Sequence, residues 1–179
     1  RRRLIPVISE MIATEKLGTN RVRALMPKLN MFGESKQLGH YYRSSPDGER
    51  ILLGGRRMHK QENLAKQRLH NGLTEIFPEL EDTQIDAYWR GFVAFPFDQL
   101  PKLAVHEGII YPSGFCGSGT VWARWLGQKA AFMVLGEAAE SAFKNLPMMT
   151  LPLYSGDPWF LPLAMSYYRL RDRFSVSTK

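Results

Sequence analysis

The sequence is poor in the residues that build covalent or metal-bound frameworks. Cys116 is the one cysteine among 179 residues, which excludes an intramolecular disulfide network and a zinc ribbon. The four histidines are scattered, and none has a partner at metal-ligand spacing. No apolar run exceeds a few residues, so the sequence offers no membrane-spanning helix. The overall composition, 44% hydrophobic and 23% charged, is ordinary for a globular protein.

The positive charge is concentrated in the first part of the chain. Residues 1–70 carry 15 Lys or Arg against 6 Asp or Glu, a net charge of +9, whereas residues 71–179 carry a net charge of −2. Such a basic half can face nucleic acid or another polyanion. Because no helix-turn-helix, zinc-finger or RNA-binding motif accompanies it, a solvated basic surface is the favoured interpretation.

Four elements are predicted in the first half of the chain. Residues 5–14 are rich in β-branched side chains and predict a strand, and residues 15–40 predict a loop that can include a short strand. Two short runs around Ser45-Pro46-Asp47-Gly48-Glu49 predict a β-hairpin over residues 41–55, because Pro, Asp and Gly suit successive turn positions. An apolar stripe at helical spacing predicts a helix over residues 60–77, closed by Pro78.

The second half predicts strands, a glycine-rich turn and helices. Residues 84–95 predict a long strand, and residues 108–111 a short one. A helix with a broad apolar face is predicted over residues 119–136, and a final short helix over 163–172. The proline-rich residues 146–162 between them predict an extended tail.

The glycine-rich turn between strand and helix is the candidate ligand-binding segment of the sequence. Its sequence, Gly114-Phe115-Cys116-Gly117-Ser118-Gly119, matches neither G-x-G-x-x-G nor a Walker motif. A strand, a glycine turn and a helix in this order can direct backbone N–H groups and the positive end of the helix at an anionic or polarised ligand. The same segment can also be a tight corner without a ligand. A small buried thiol is the favoured role of Cys116.

Three sequence blocks and a closing stretch follow one another in a recognisable order. They are Tyr41-Tyr42-Arg43 to Leu53-Gly54-Gly55-Arg56, Trp89-Arg90-Gly91 to Asp98-Gln99-Leu100-Pro101, the turn Gly114–Gly119 with Gly127-Gln128-Lys129-Ala130-Ala131, and Asp157-Pro158-Trp159 to Tyr167-Tyr168-Arg169-Leu170-Arg171-Asp172. This order resembles the C-terminal half of D-amino-acid oxidase-like, FAD-dependent oxidoreductases. That superfamily includes glycine, sarcosine and γ-glutamylputrescine oxidases, and the closing stretch is similar to the γ-glutamylputrescine oxidase-like branch.

The resemblance implies a mixed α+β fold divided over two domains. Residues 1–90 would belong to a substrate domain built on an antiparallel sheet. Residues 91–145 would be the C-terminal return segment of an FAD-binding α/β domain, and residues 146–179 a tail with a short helix. The dinucleotide-binding βαβ unit of the family has no counterpart in this sequence, so the resemblance implies that a missing N-terminal half or another chain supplies it.

By the same resemblance, the function is the oxidation of an amine or N-substituted amino acid by hydride transfer to FAD. The implied cofactor-binding residues are in the turn: Gly114, Gly117, Ser118, Gly119 and Thr120. The implied substrate-binding residues are on or beside the hairpin: Tyr42, Arg43 and Arg56. A small-molecule amine would be the partner, in the cytoplasm, without nucleic acid or a membrane span. The catalytic residues stay unknown, and no metal is expected.

Departures from the family bear on the substrate. The positions at which family members place a cation for the substrate α-carboxylate are occupied here by Gly117, Val93 and Val121. A larger amine is therefore favoured over a simple α-amino acid. Two alternatives stay open: a substrate-domain fold that binds no flavin, and a basic nucleic-acid-binding module.

Overall fold

The computed structural model describes residues 2–56 and 61–175. Within these ranges it contains seven strands, four α-helices and a 3-10 turn at Pro78–Leu80. The elements, in chain order, are β1 (Ile5–Thr14), α1 (Thr19–Leu25), β2 (Phe32–Gly33), β3 (Tyr41–Ser44), β4 (Ile51–Arg56), α2 (Glu62–Ile76), β5 (Ile85–Phe95), β6 (Lys102–His106), β7 (Ile109–Ser113), α3 (Gly119–Val134) and α4 (Leu161–Ser175). The predicted mixed fold with an antiparallel sheet is confirmed.

The chain divides into two compact units. The first combines Arg1–Val7 with Phe92–Trp159, and the second combines Ile8–Gly91 with Phe160–Lys179. The second unit holds β2, β3, β4 and the greater part of β1 and β5. These five strands form one sheet in the order β2-β3-β4-β1-β5. The first unit holds the antiparallel pair β6–β7 and helix α3.

The predicted hairpin over residues 41–55 is confirmed, and its turn is formed as the sequence indicates. Strands β3 and β4 pair antiparallel, with Tyr41 opposite Gly54 and Ser44 opposite Ile51. The amide of Gly48 donates to the carbonyl of Ser45 at 2.9 Å, and Gly48 has a φ of +72°. Glycine supplies this left-handed conformation without a steric cost.

Helix α2 covers one face of the sheet and closes the core of the second unit. Its apolar stripe is buried against residues from α1, β1 and β4, and the fully buried side chains include Ile12, Val22, Ile51, Leu53, Leu69 and Leu73. The predicted helix over 60–77 is confirmed between Glu62 and Ile76, and its proposed start at Lys60 lies outside the described residues. Glycine is unfavourable inside a helix, but packing explains its presence at position 72. A Cβ on Gly72 would lie 2.5 Å from Cε1 of His40.

Two elements were not predicted. Residues 19–25, predicted as loop, form the short helix α1, because Val22 is fully buried in the core and Leu25 and Met26, on the same side, pack with it. Tertiary burial here overrides a weak local signal. Strand β6 pairs with β7 through a two-residue turn in which Glu107 has a φ of +49° and Gly108 a φ of +76°. These angles are typical of a type I′ hairpin, whose usual first residue is Asn or Asp rather than Glu.

The apolar face of α3 is partly covered by a loop of its own unit. Phe143 packs edge-on against Trp122 and Trp125, with ring centroids 5.0 and 6.0 Å apart. The two tryptophans are therefore half-buried, as is Phe132. The described side chains of α3 otherwise include one that is fully buried, Leu126, while Val121 and Val134 are 65% and 76% exposed.

Candidate functional site

The glycine-rich turn links the end of β7 to the start of α3 in the first unit. Its backbone is held by two hydrogen bonds: the Cys116 amide donates to the Ala94 carbonyl at 3.3 Å, and the Ser118 amide donates to the Phe115 carbonyl at 2.9 Å. Three residues of the turn have left-handed backbones, Gly114 (+72°), Cys116 (+53°) and Gly117 (+95°). The chain is thus turned sharply just before the helix begins.

Different physical constraints act at the three glycine positions of this turn. A Cβ on Gly114 would lie 2.3 Å from Cγ of Pro96, so this glycine is required by packing within the protein. A Cβ on Gly117 would have one neighbour, Val93 Cγ1 at 3.9 Å, although its φ still favours glycine. A Cβ on Gly119 would meet Phe115 at an ordinary 3.7 Å, and the backbone there is not left-handed. Gly117 and Gly119 therefore leave open space beside the backbone.

The N-terminus of α3 is open on the side of this space. The N-cap Ser118 makes no side-chain capping hydrogen bond, and the first turn of the 16-residue helix carries no acidic residue. Gly117, Ser118 and Thr120 are exposed. Uncapped amides at the positive end of a helix suit a group that carries or develops negative charge. The turn fits the edge of a polarised ring, because space and N–H donors occur together.

The thiol of Cys116 is engaged inside the turn. It donates to the carbonyl oxygens of Gln99 at 3.4 Å and Gly114 at 3.3 Å, and the residue is half-buried. The favoured role, a small structural thiol, agrees with these contacts.

The three predicted substrate-binding residues of the hairpin are not brought together. Tyr42 faces the core, where its ring stacks on Phe32 and meets Phe77 edge-on. Arg43 is exposed and lines a shallow pocket with Arg23. Arg56 is half-buried and lies opposite Ser9 on β1, whereas Arg43 lies opposite Leu52. Four residues of β4, about 13 Å, thus separate the two arginines.

Tyr41, which the sequence did not single out, lies on the sheet face opposite the core. Its ring covers Gly54, where a Cβ would be 2.4 Å from Cε2 of the tyrosine. Its hydroxyl forms a hydrogen bond with Ser9 on β1. Alternation along β4 places Gly54 and Arg56 on this same face, because Leu53, next to Gly54, is buried in the core. The sequence feature that points to Tyr41 is Gly54 on the paired strand, and it can be recognised only once the register of β3 on β4 is known.

A polar cluster lies between α2 and the core side of the sheet. Glu10 is fully buried and accepts a hydrogen bond from the Tyr88 hydroxyl at 2.9 Å. Arg68 donates to the carbonyl of Arg56 at 2.8 Å, and its Nη1 lies 3.4 Å from Nε2 of His40. Burial, together with the charge of Arg68, lowers the pKa of His40 below its ordinary value. The imidazole is therefore neutral at pH 7.

Residues 2–56 and 61–175 offer neither a cluster of metal-ligating side chains nor a membrane-spanning helix. This part of the chain contains no group of three or more His, Cys, Asp or Glu side chains arranged to hold a metal ion. None of its helices has both the length and the apolarity that crossing a membrane requires.

Comparison with curated proteins finds oxidoreductases. The chain is 31% identical over 157 residues to a probable oxidoreductase OrdL of Rhizobium meliloti, covering 84% of this chain and 36% of the relative. It is 29% identical over 182 aligned positions to γ-glutamylputrescine oxidoreductase of Escherichia coli, covering 98% of this chain and 42% of the relative. The predicted resemblance to the glycine and γ-glutamylputrescine oxidase superfamily is confirmed. No family model matches the sequence.

Solved structures show the same fold. Glycine oxidase from Geobacillus kaustophilus superposes with a TM-score of 0.62 at 18% identity, over 85% of this chain and 40% of that one. L-Proline dehydrogenase from P. horikoshii gives a TM-score of 0.60 at 17% identity, over 92% of this chain and 42% of that one. The chain thus spans about two fifths of the length of the curated relatives and solved structures that it matches.

Proposed function

We propose that this chain is part of an FAD-dependent oxidoreductase that oxidises an amine or an N-substituted amino acid. The observation that carries the proposal is the open turn before α3. Gly117 and Gly119 leave space beside the backbone, and the uncapped helix end offers N–H groups to that space. The names of the curated relatives, all oxidoreductases, support the same reaction class.

In this proposal FAD, when bound, accepts a hydride equivalent from the carbon that bears the nitrogen. The backbone of Gly117, Gly119 and Thr120 would hold the edge of its ring, and the Ser118 hydroxyl would lie beside it. The positive end of α3 would stabilise negative charge on the ring as it is reduced. Gly114 would shape the turn through its packing on Pro96 rather than touch the cofactor.

The substrate would be handled mainly by residues of the second unit and the flavin mainly by residues of the first. We assign residues 1–90 to substrate binding and residues 91–145 to flavin binding, with the dinucleotide-binding βαβ unit supplied by further sequence or by another chain. Tyr41 is added to Arg43 and Arg56 as a substrate-facing candidate, because its ring and hydroxyl lie on the sheet face away from the core. Tyr42 would support them from the core side.

The substrate class follows from the side chains that replace the carboxylate anchors of the family. Gly117 carries no side chain, and Val93 and Val121 carry no charge. None of the three can pair with an α-carboxylate. A larger amine, gripped elsewhere along its length, is therefore proposed rather than a simple α-amino acid.

The decisive experiment compares two glycines of the same helix. Gly119→Val would place two methyl groups in the open space beside the turn, whereas Gly127→Val would place them where no other atom lies within 4 Å of a Cβ. Neither glycine has a left-handed backbone, so both variants should fold. In the full-length protein, we expect Gly119→Val to lose bound flavin, measured by visible absorbance, and Gly127→Val to keep it.

Thermal unfolding of both variants separates cofactor loss from unfolding. Flavin retention equal to wild type in a folded Gly119→Val protein would remove the turn from the site. A full-length wild-type protein that is colourless and does not take up added flavin would instead favour the alternative, a substrate-domain fold without cofactor.

A further inference from the structure

An ion pair with a fully buried lysine lies in the first unit. Lys102 begins β6, and its side chain is 1% exposed. Its ammonium donates to the carboxylate of Asp98, which lies in the loop over residues 96–101 and is 24% exposed. Such a pair adds little net stability, because removing the two charges from water offsets most of their attraction. The pair is better explained by what it holds in place.

The carboxylate of Asp98 closes the loop over residues 96–101. Its Oδ2 accepts from Lys102, and its Oδ1 accepts from the amide of Leu100 at 3.2 Å. The amide of Gln99 donates to the carbonyl of Pro96 at 3.0 Å, and Gln99 has a left-handed φ of +56°. The direction of the Gln99 carbonyl is therefore set within a loop that both oxygens of Asp98 hold.

This loop contacts the glycine-rich turn in two ways. The carbonyl of Gln99 accepts a hydrogen bond from the thiol of Cys116 at 3.4 Å. The buried ring of Pro96 occupies the space that a side chain on Gly114 would need, with Cγ 2.3 Å from the Cβ position. One polar and one steric contact thus tie the backbone of the turn to the loop.

The lysine end of the pair is fixed to the strand that leads into the turn. Lys102 lies opposite Ser113, which is the last residue of β7 and directly precedes Gly114. The next residue of β6, Leu103, donates its amide to the carbonyl of Phe143 at 2.9 Å. The start of β6 is therefore held on both sides, and the ion pair transmits this fixed position to the loop.

We propose that Asp98 and Lys102 are positioning residues for the cofactor site. Their ion pair holds the loop over residues 96–101 against the glycine-rich turn, and the loop fixes the backbone that would face the flavin ring. Donors arranged before the ligand arrives bind it better than donors that must first be ordered. The inference rests on the proposed function for its bearing on flavin, whereas the contact between loop and turn can be tested without flavin.

The first measurement follows the thiol of Cys116 in the full-length protein. Lys102→Met removes the charge and keeps a long apolar side chain in the buried site. If the loop then moves, the hydrogen bond from Cys116 to Gln99 weakens, and iodoacetamide should alkylate Cys116 about two- to tenfold faster, measured by mass spectrometry of its peptide. Lys144→Met removes an exposed lysine of the same unit and should leave the rate unchanged.

The second measurement titrates flavin into the same full-length variants after removal of bound cofactor. Lys102→Met should weaken flavin binding about tenfold, as the loss of a group that orients a binding group commonly does, and Lys144→Met should not change it. Adding Asp98→Asn to Lys102→Met should weaken binding little further, because the pair is already broken. Urea denaturation of the flavin-free variants separates positioning from stability, since Lys102→Met should unfold as wild type does.

The outcomes distinguish this inference from the proposed function. A folded Lys102→Met protein in which Cys116 alkylation and flavin affinity both equal those of wild type would overturn the inference, and so would an equal loss of affinity in Lys144→Met. A wild type that takes up no flavin would overturn the proposed function, while alkylation of Cys116 would still decide whether the pair holds the turn. If Lys102→Met does not fold, the double variant with Asp98→Asn replaces it, because it contains neither charge of the pair.

Discussion

The contact between Tyr41 and Gly54 provides a sharp test of the sheet face opposite the core. A Cβ added to Gly54 would lie 2.4 Å from Cε2, 2.6 Å from Cζ and 2.8 Å from the hydroxyl oxygen of Tyr41. Real Cβ atoms essentially never come this close to another heavy atom. In Gly54→Ala, either the ring leaves β4 or the strand moves away from the ring.

Both responses have a cost that can be bounded. Displacing the ring breaks the hydrogen bond between Tyr41 and Ser9, worth about 0.5–1.5 kcal/mol. Shifting β4 instead disturbs the packing of Leu53, which is fully buried, and overpacking of this kind costs about 1–3 kcal/mol. We therefore expect Gly54→Ala to lower the free energy of unfolding by about 1–3 kcal/mol, measured by urea denaturation.

Two further variants show whether the clash is the cause. Gly91→Ala, on strand β5, adds a Cβ with no other atom within 4 Å and should be neutral or slightly stabilising. In a Tyr41→Ala background, Gly54→Ala should lose most of its effect, because the ring that it strikes is gone. Equal destabilisation by Gly54→Ala with and without the Tyr41 ring would refute the reasoning.

Two predictions concern buried charge and pH. Asp98→Asn should lower the free energy of unfolding by about 3 kcal/mol, because it leaves the ammonium of Lys102, 1% exposed, without its counter-charge, whereas Lys102→Met should be close to neutral by urea denaturation. Although burial opposes it, hydrogen bonds from Lys102 and the Leu100 amide hold the pKa of Asp98 below its ordinary value, so the wild-type protein should lose this contribution as the pH falls below about 4. The pKa of His40 is lowered by burial, so the unfolded chain takes up its proton first and stability should fall as the pH drops below about 6.5. His40→Gln should flatten that part of the stability profile, and replacement of the exposed His106 by Gln should not; the same slope in both variants would contradict the assignment.

Local patterns were sufficient wherever an element is specified by its own residues. The hairpin over 41–55 follows from a Pro-Asp-Gly turn between two apolar runs, and α2 from its apolar stripe. Helix α1, only seven residues long, depends instead on Val22, Leu25 and Met26 reaching a core built by distant strands. Strand β6 begins with Lys102, whose buried ammonium is tolerated because Asp98 pairs with it. Neither dependence can be seen from nearby sequence alone.

The hairpin site shows a different limit of prediction from sequence. Two tyrosines stand side by side, and alternation sends them to opposite faces of the sheet. Which one faces the core is decided by the register of β3 on β4, since Tyr42 lies opposite buried Leu53 and Tyr41 opposite Gly54. A shift of one residue would exchange their roles. The sequence could therefore point to this hairpin without showing which tyrosine lies on the open face.

At the proposed cofactor site, the structure likewise separates residues that the sequence groups together. In the sequence, Gly114, Gly117 and Gly119 form one motif. In the structure, Gly114 is explained fully by Pro96, and Gly117 is explained in part by its left-handed backbone. Gly119 has neither reason, because its backbone is not left-handed and a Cβ would fit. The internal structure therefore leaves the absence of a side chain at Gly119 unexplained, and a ligand against the end of α3 would explain it. For this reason Gly119, rather than the more strained Gly117, is the position at which a substitution tests binding without also testing the fold.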